Sequence, residues 1–256
     1  MGIVVKNINY SINDYKILKN ISLEINQGEI LTIMGPNGSG KSSLIKILAG
    51  DFSANSGKVI YNNKEINNIS LNEQAKMRSV MSQSQEIVYD YTVKEIIEMG
   101  WIEKKLITEN NLTLNNSLSQ ICKECNITHL INKKYNILSG GEKRNVNFAR
   151  TLIQVSNNNI TDKYLILDEP TANLDISHKI SMMDILCKRK SDGFGIIIVM
   201  HDLNLAYKYS NKIGLMKHGK LIYYGKTEEV FNNEYLTYIY DTNVTVNKKT
   251  KTIKYY

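Results

Sequence analysis

The chain has 256 residues, 42% of them hydrophobic, which is enough for one large α/β domain, or two small ones, with a sizeable core. Lys and Arg number 32 against 25 Asp and Glu, and the resulting +7 is spread along the chain. This suits an anionic ligand or a membrane-proximal setting, and it lacks the basic stripe of a nucleic-acid binder. The three cysteines, Cys122, Cys125 and Cys187, make no disulfide framework and suit a reducing cytosol. Met1 to Lys6 lacks the charged start and long apolar core of a signal peptide, and runs such as Ile196 to Met200 are too short to span a bilayer. A soluble protein is expected, with any membrane role coming through a partner.

In chain order, residues 3–30 alternate apolar and polar in short runs (Ile3-Val4-Val5, Ile8-Asn9-Tyr10, Ile21 to Ile25). These predict antiparallel strands with turns near Asn13-Asp14 and Gln27-Gly28. Tyr10 and Tyr15 are the candidates here for stacking on a purine. Ile30 to Met34 is an apolar run that predicts a buried strand, and Ser43 to Ala49 predicts a helix. Between them lies Gly35-Pro36-Asn37-Gly38-Ser39-Gly40-Lys41-Ser42, the pattern G-x-x-x-x-G-K-[ST]. Gly35, Gly38 and Gly40 let several backbone N–H groups converge on one phosphate, and the helix N-terminus adds its positive end. Lys41 is expected to reach the β- and γ-phosphates, and the Ser42 hydroxyl to ligate Mg2+.

Ser56 to Asn63 predicts another hairpin arm, and Arg78 to Gln83 a strand ending in glutamine. From about residue 90 to 137 the pattern is mostly helical, with a helix over Thr92 to Gly100 and a loop or connection over Thr108 to Asn116. Leu118, Ile121, Cys122 and Cys125 fall at i, i+3, i+4 and i+7, a buried helical stripe. Cys122, Cys125 and His129 lack a second Cys/His pair nearby, so packing is expected over metal binding. Ser139 and Glu142 form a capping-box pattern at the start of a helix, where Gly140 and Gly141 make a second anion site.

After the polar stretch Ser156 to Asn159, Tyr164 to Asp168 predicts a buried strand, with Asp168 and Glu169 at its C-terminal end. Ligands of open α/β sheets gather at that edge, and two adjacent acids after an apolar run call for a cation. Gly195 to Met200 predicts a further strand that brings His201 to the same edge, as either a structural or a catalytic histidine. A hairpin over residues 211–224 turns at His218-Gly219, and Glu228 to Tyr256 mixes helix and strand. Both prolines, Pro36 and Pro170, fall in the proposed nucleotide site.

Taken together these motifs resemble the ATP-binding subunit of ABC transporters over nearly the whole chain. Gly35 to Ser42 matches the Walker A loop, Gln83 the Q-loop, and Leu138 to Glu142 the signature motif. Leu165 to Glu169 matches Walker B, Ala172 to Asp175 the D-loop, and His201 the switch histidine. The resemblance implies an α/β P-loop NTPase fold with a RecA-like core and an N-terminal antiparallel β-subdomain. It implies a single ABC ATPase domain over residues 1–256, with 1–87 and 138–256 as the core and 88–137 as an inserted helical subdomain.

The resemblance also assigns roles. ATP is held by Gly35 to Ser43 of one subunit and by Ser139, Gly140, Gly141 and Asp175 of the other, in a head-to-tail homodimer. Ser42, Gln83 and Asp168 serve Mg2+, Glu169 polarises the attacking water, and His201 contacts the γ-phosphate. The subunits dock on two membrane permease subunits at the cytoplasmic face of the inner membrane, which a solute-binding protein serves indirectly. Val93 to Gly100 and His201 to Ala206 resemble importers of iron chelates, vitamin B12 and haem. The segment Gln154 to Lys163 and Leu174 to His178 resemble haemin-import ATPases in particular, with ferric siderophore and B12 importers as alternatives.

Three positions differ from the family pattern. The usual place of the adenine-stacking tyrosine holds Ile12, the usual arginine three residues after the signature glutamate is Asn145 with Arg144 before it, and Trp101 follows Gly100. An ABC-type ATPase acting on nucleic acid or ribosomes usually has two cassettes or long coiled-coil or zinc insertions, which this sequence lacks. A small-molecule P-loop kinase is opposed by Ser139-Gly140-Gly141.

Overall fold

The structure, a computed structural model, describes all residues except 84–86, 88, 103–109 and 157–161. β1 (Gly2–Ile12) and β2 (Tyr15–Asn26) pair antiparallel through the Asn13-Asp14 turn. β3 (Ile30–Met34) leads into the glycine loop and α1 (Lys41–Ala49). β4 (Ser56–Tyr61) and β5 (Lys64–Glu65) complete a four-stranded antiparallel sheet of order β2-β1-β4-β5. The short α2 (Leu71–Met77) precedes β6 (Arg78–Met81), which ends two residues before Gln83, so the glutamine sits beyond the strand and not at its last position.

α3 (Val93–Glu98), α4 (Asn110–Glu124) and two 3-10 turns follow before α5 (Gly140–Gln154). Then come β7 (Tyr164–Asp168), α6 (Ile176–Ser191), β8 (Gly195–Val199) and α7 (Leu203–Tyr209). β9 (Lys212–Lys217) and β10 (Lys220–Lys226) form the hairpin turning at His218-Gly219. The chain continues through α8 (Thr227–Val230), α9 (Asn233–Tyr240) and the hairpin β11 (Val244–Asn247) and β12 (Thr252–Tyr255).

The second sheet has the order β10-β9-β3-β8-β7-β6, parallel except for the antiparallel β10 at its edge. Its central strands are predominantly apolar because both faces are covered, with Thr32 and Asp168 as buried polar exceptions in β3 and β7. Along β7, Leu165 and Leu167 join the core shared with α5, α6 and α7, while Tyr164 and Ile166 join the core beneath the antiparallel sheet and α1. β8 alternates likewise, with Ile196 and Ile198 on one face and Ile197 and Val199 on the other. Each such isoleucine or leucine contributes about 1.5–3 kcal/mol by leaving water. The parallel order puts the C-terminal ends of β3, β6, β7 and β8 along one edge, so Gly35, Gln83, Asp168 and His201 start from neighbouring positions.

The stretch Thr108 to Asn116, read as a loop or connection, is helical from Asn110 onward, while Thr108 and Glu109 lie outside the described residues. Leu114 packs on the core four residues before Leu118, so the buried stripe starts a turn earlier than its asparagine-rich surroundings suggested. Leu118, Ile121, Cys122 and Cys125 are all buried, as the periodicity predicts. The segment Gln154 to Lys163 includes residues 157–161, outside the described residues. Among the described residues no helix is long and apolar enough to cross a membrane.

Candidate nucleotide site

The glycine loop is shaped by its own chain. Gly35 has φ +145, and a Cβ there would overlap the Met216 carbonyl oxygen. Gly40 caps α1 at φ +99, and a Cβ would come 2.8 Å from Leu18 Cδ2. No side chain caps this helix. Helix geometry begins at Lys41 and not at Ser43, so Lys41 and Ser42 belong to the first turn, whose N–H groups have no partner within the helix. Lys41 is almost fully buried, and its Nζ donates to the Gly35 and Pro36 carbonyls at 2.9 and 3.0 Å. Burial pulls the Lys41 pKa down, against the opposing pull of the Glu169 and Asp168 carboxylates.

The opposite wall is the end of β7. Asp168 is buried, and burial raises its pKa while a hydrogen bond from the Ser42 hydroxyl works against that shift. Its Oδ1 has no hydrogen-bond partner, an expensive state for a buried carboxylate oxygen. On the phosphate loop, Ser39 Oγ is likewise buried and unpartnered. The Asp168 carboxylate with the Ser42 hydroxyl bonded to it is a pair of hard oxygen donors that fits Mg2+.

Glu169, one residue on, stands at φ +51, and its N–H donates to Val199 O at 3.1 Å, tying the ends of β7 and β8 together. Its carboxylate accepts from Gln83 Nε2 at 3.0 Å and from His201 Nε2 at 2.7 Å. The three side chains therefore meet across strand ends far apart in sequence. An open cleft of about 750 Å³ joins them, lined by the loop from Asn37 to Ser43 with Gln83, Glu169, His201 and Tyr15.

Of the two candidate tyrosines, the structure brings Tyr15 to the cleft and leaves it exposed. Tyr10 instead stacks on Phe52, ring centroids 5.7 Å apart. Ser139, Gly140, Gly141 and Asp175 do not line the cleft. The capping box at α5 is formed in both directions: Glu142 N donates to Ser139 Oγ at 3.3 Å and Ser139 N to Glu142 Oε2 at 2.8 Å. Both glycines there have ordinary helical φ, and a Cβ on Gly140 would meet nothing within 4 Å. Asp175 caps α6, accepting from His178 N at 2.9 Å, from His178 Nδ1 at 2.8 Å and from the Ser177 hydroxyl. The His178 N–H, more than any other group, holds its pKa down at about 2.

Cys122 and Cys125 are buried, and burial pushes both thiols up, Cys122 to about 11. No group of three or more His, Cys, Asp or Glu among the described residues could hold a metal ion. Arg144, which the sequence marked only as a departure from the family pattern, reaches the same corner as Glu169.

A glycine loop at a strand-to-helix junction, facing acids at the end of a strand two places along the same sheet, defines a P-loop nucleoside-triphosphatase. Residues 18–172 match the family model for ABC transporters. The chain is 37% identical to the hemin import ATP-binding protein of Escherichia coli O157:H7, over 96% of this chain and 94% of that protein. It is 35% identical to the protein of the same name from Aliivibrio fischeri, over 94% and 90%. Among solved structures, a dimeric bacterial ABC transporter cassette superposes with a TM-score of 0.77 at 26% identity, over 88% of this chain and 98% of that one. The chain belongs to the ABC transporter family, as one of its ATPase cassettes.

Proposed function

We propose that two copies of this chain close head-to-tail over ATP and Mg2+, hydrolyse the nucleotide, and so drive haemin import through two membrane permease subunits. The observation that carries the hydrolytic reading is the Glu169 carboxylate, held by Gln83 and His201 on the rim of the phosphate-loop cleft. Support for haemin is the likeness, over nearly full length, to hemin import ATP-binding proteins.

In this reading the exposed N–H groups of α1 bind the phosphates of ATP, and Lys41 exchanges its two carbonyl partners for β- and γ-phosphate oxygens. Ser42, Asp168 and Gln83 are the side chains that would hold Mg2+. The ion, when bound, neutralises the charge that builds on the phosphate oxygens. Glu169 orients water for in-line attack and takes its proton, and His201 fixes that carboxylate and contacts the γ-phosphate. Tyr15 stacks on the adenine. Gly140, open at the start of α5, and Gly141 after it receive the γ-phosphate bound by the partner copy, beside Ser139 and Asp175. Residues 88–137 form the helical subdomain that docks on the permease, which makes the chain a peripheral protein of the inner membrane's cytoplasmic face.

The test has two parts. Lys41→Ala should lose ATP turnover in the purified chain; parental turnover would dismiss the phosphate-loop reading. A strain lacking this chain should fail to grow on haemin as sole iron source. If it grew on haemin but failed on a ferric siderophore or in B12 uptake, the substrate would be the alternative one.

A further inference from the structure

Arg144 lies on α5, one turn after Gly140, at a position where the ATPase reading assigns no role. Its guanidinium spends its donors on backbone carbonyls of two separate segments. Nε donates to Pro170 O at 3.2 Å, and Nη1 to Gln83 O at 2.5 Å. Nη2 donates to Asp168 O at 3.3 Å and to Glu169 O. One planar fork thus grips three consecutive carbonyls of the turn after β7, together with the carbonyl of Gln83.

Two of the gripped residues, Gln83 and Glu169, are the two ends of one hydrogen bond, Gln83 Nε2 to Glu169 Oε2. Glu169 also stands in the left-handed region, which a residue with a Cβ keeps only when its surroundings hold it there. Its N–H is held by Val199 O, and its carbonyl accepts from both Ala172 N and Arg144. The side chain is half-buried, and the Glu169 and Asp168 carboxylates offset part of what burial costs its charge.

We propose that Arg144 is a positioning residue: by clamping the carbonyls of Gln83, Asp168, Glu169 and Pro170 it aims the Glu169 carboxylate at the water, and it makes α5 and that carboxylate move as one body. Asn145, at the place where the family usually has arginine, is the next residue and is buried. This inference rests on the hydrolytic role of Glu169 proposed above.

The experiment compares the purified full chain with Arg144→Lys and Arg144→Gln in MgATP hydrolysis, equilibrium ATP binding and thermal unfolding. A misaimed catalytic group costs about ten- to a hundredfold in rate. Both variants should lose turnover on that scale while the ATP dissociation constant stays within about threefold, because the phosphate loop is untouched. Lysine should not rescue, since one ammonium cannot span carbonyls on two segments. In the background of Glu169→Gln, Arg144→Gln should cause no further loss, because the two act through one carboxylate.

Parental turnover in Arg144→Lys would overturn the proposal. So would an equal loss in the presence and absence of the Glu169 carboxylate, or a drop in melting temperature with turnover per folded molecule unchanged. A parent chain that binds ATP but is indifferent to Glu169→Gln would instead remove the hydrolytic reading beneath it.

Discussion

Two glycine-rich helix starts occur in this chain, and they are built for different reasons. At α1 the glycines answer to their own chain: Gly35 and Gly40 hold positive φ, and a Cβ at either would strike Met216 or Leu18. At α5 nothing inside the chain asks for glycine. Gly140 is exposed, its φ is helical, and a Cβ would meet open space. Glycine there costs up to about 1 kcal/mol of helix stability for no internal return. The first loop is a cradle complete in itself, and the second is a bare surface, which the proposed dimer would turn toward the partner copy's ATP.

This contrast can be broken by substitution. Gly35→Ala should do the most damage, destabilising the chain by roughly 3 kcal/mol or more, because the new methyl must displace β9 backbone at a disallowed φ. Chemical denaturation reads this directly; an unchanged midpoint would mean that the loop tolerates a side chain and that the first half of the comparison is wrong. Ser139→Ala removes one arm of the α5 capping box and should cost about 1 kcal/mol. Gly140→Ala should have the smallest effect on the fold, a gain of about 0.5 kcal/mol, while ATP turnover falls. If Gly140→Ala kept parental turnover, the surface would have no close visitor.

Much of this was legible in the sequence because it is local. The runs Ile30 to Met34, Tyr164 to Asp168 and Gly195 to Val199 are strands buried on both faces, and each is followed within two residues by a site residue or loop. The capping box of Ser139 and Glu142 is a four-residue pattern, and it formed as read. What stayed hidden depended on distant parts of the chain. Choosing between Tyr10 and Tyr15 needed the register of β1, which shifts on both sides of Tyr10 and turns its ring onto Phe52. The start of α4 depended on Leu114 finding the core, which outweighed its asparagine-rich neighbours. Arg144 could be seen only as an arginine one place out of pattern, because its partners come from the segments at Gln83 and at Asp168 to Pro170.

The central claim is that two copies of this chain share ATP between a cradle on one and the bare helix start of the other. Sedimentation of the Glu169→Gln chain with and without MgATP tests it most directly, since that variant keeps the carboxylate's shape but removes the base. The account predicts a monomer without nucleotide and, with MgATP, a dimer that retains two ATP. A chain that binds ATP tightly yet sediments as a monomer at every concentration would contradict it.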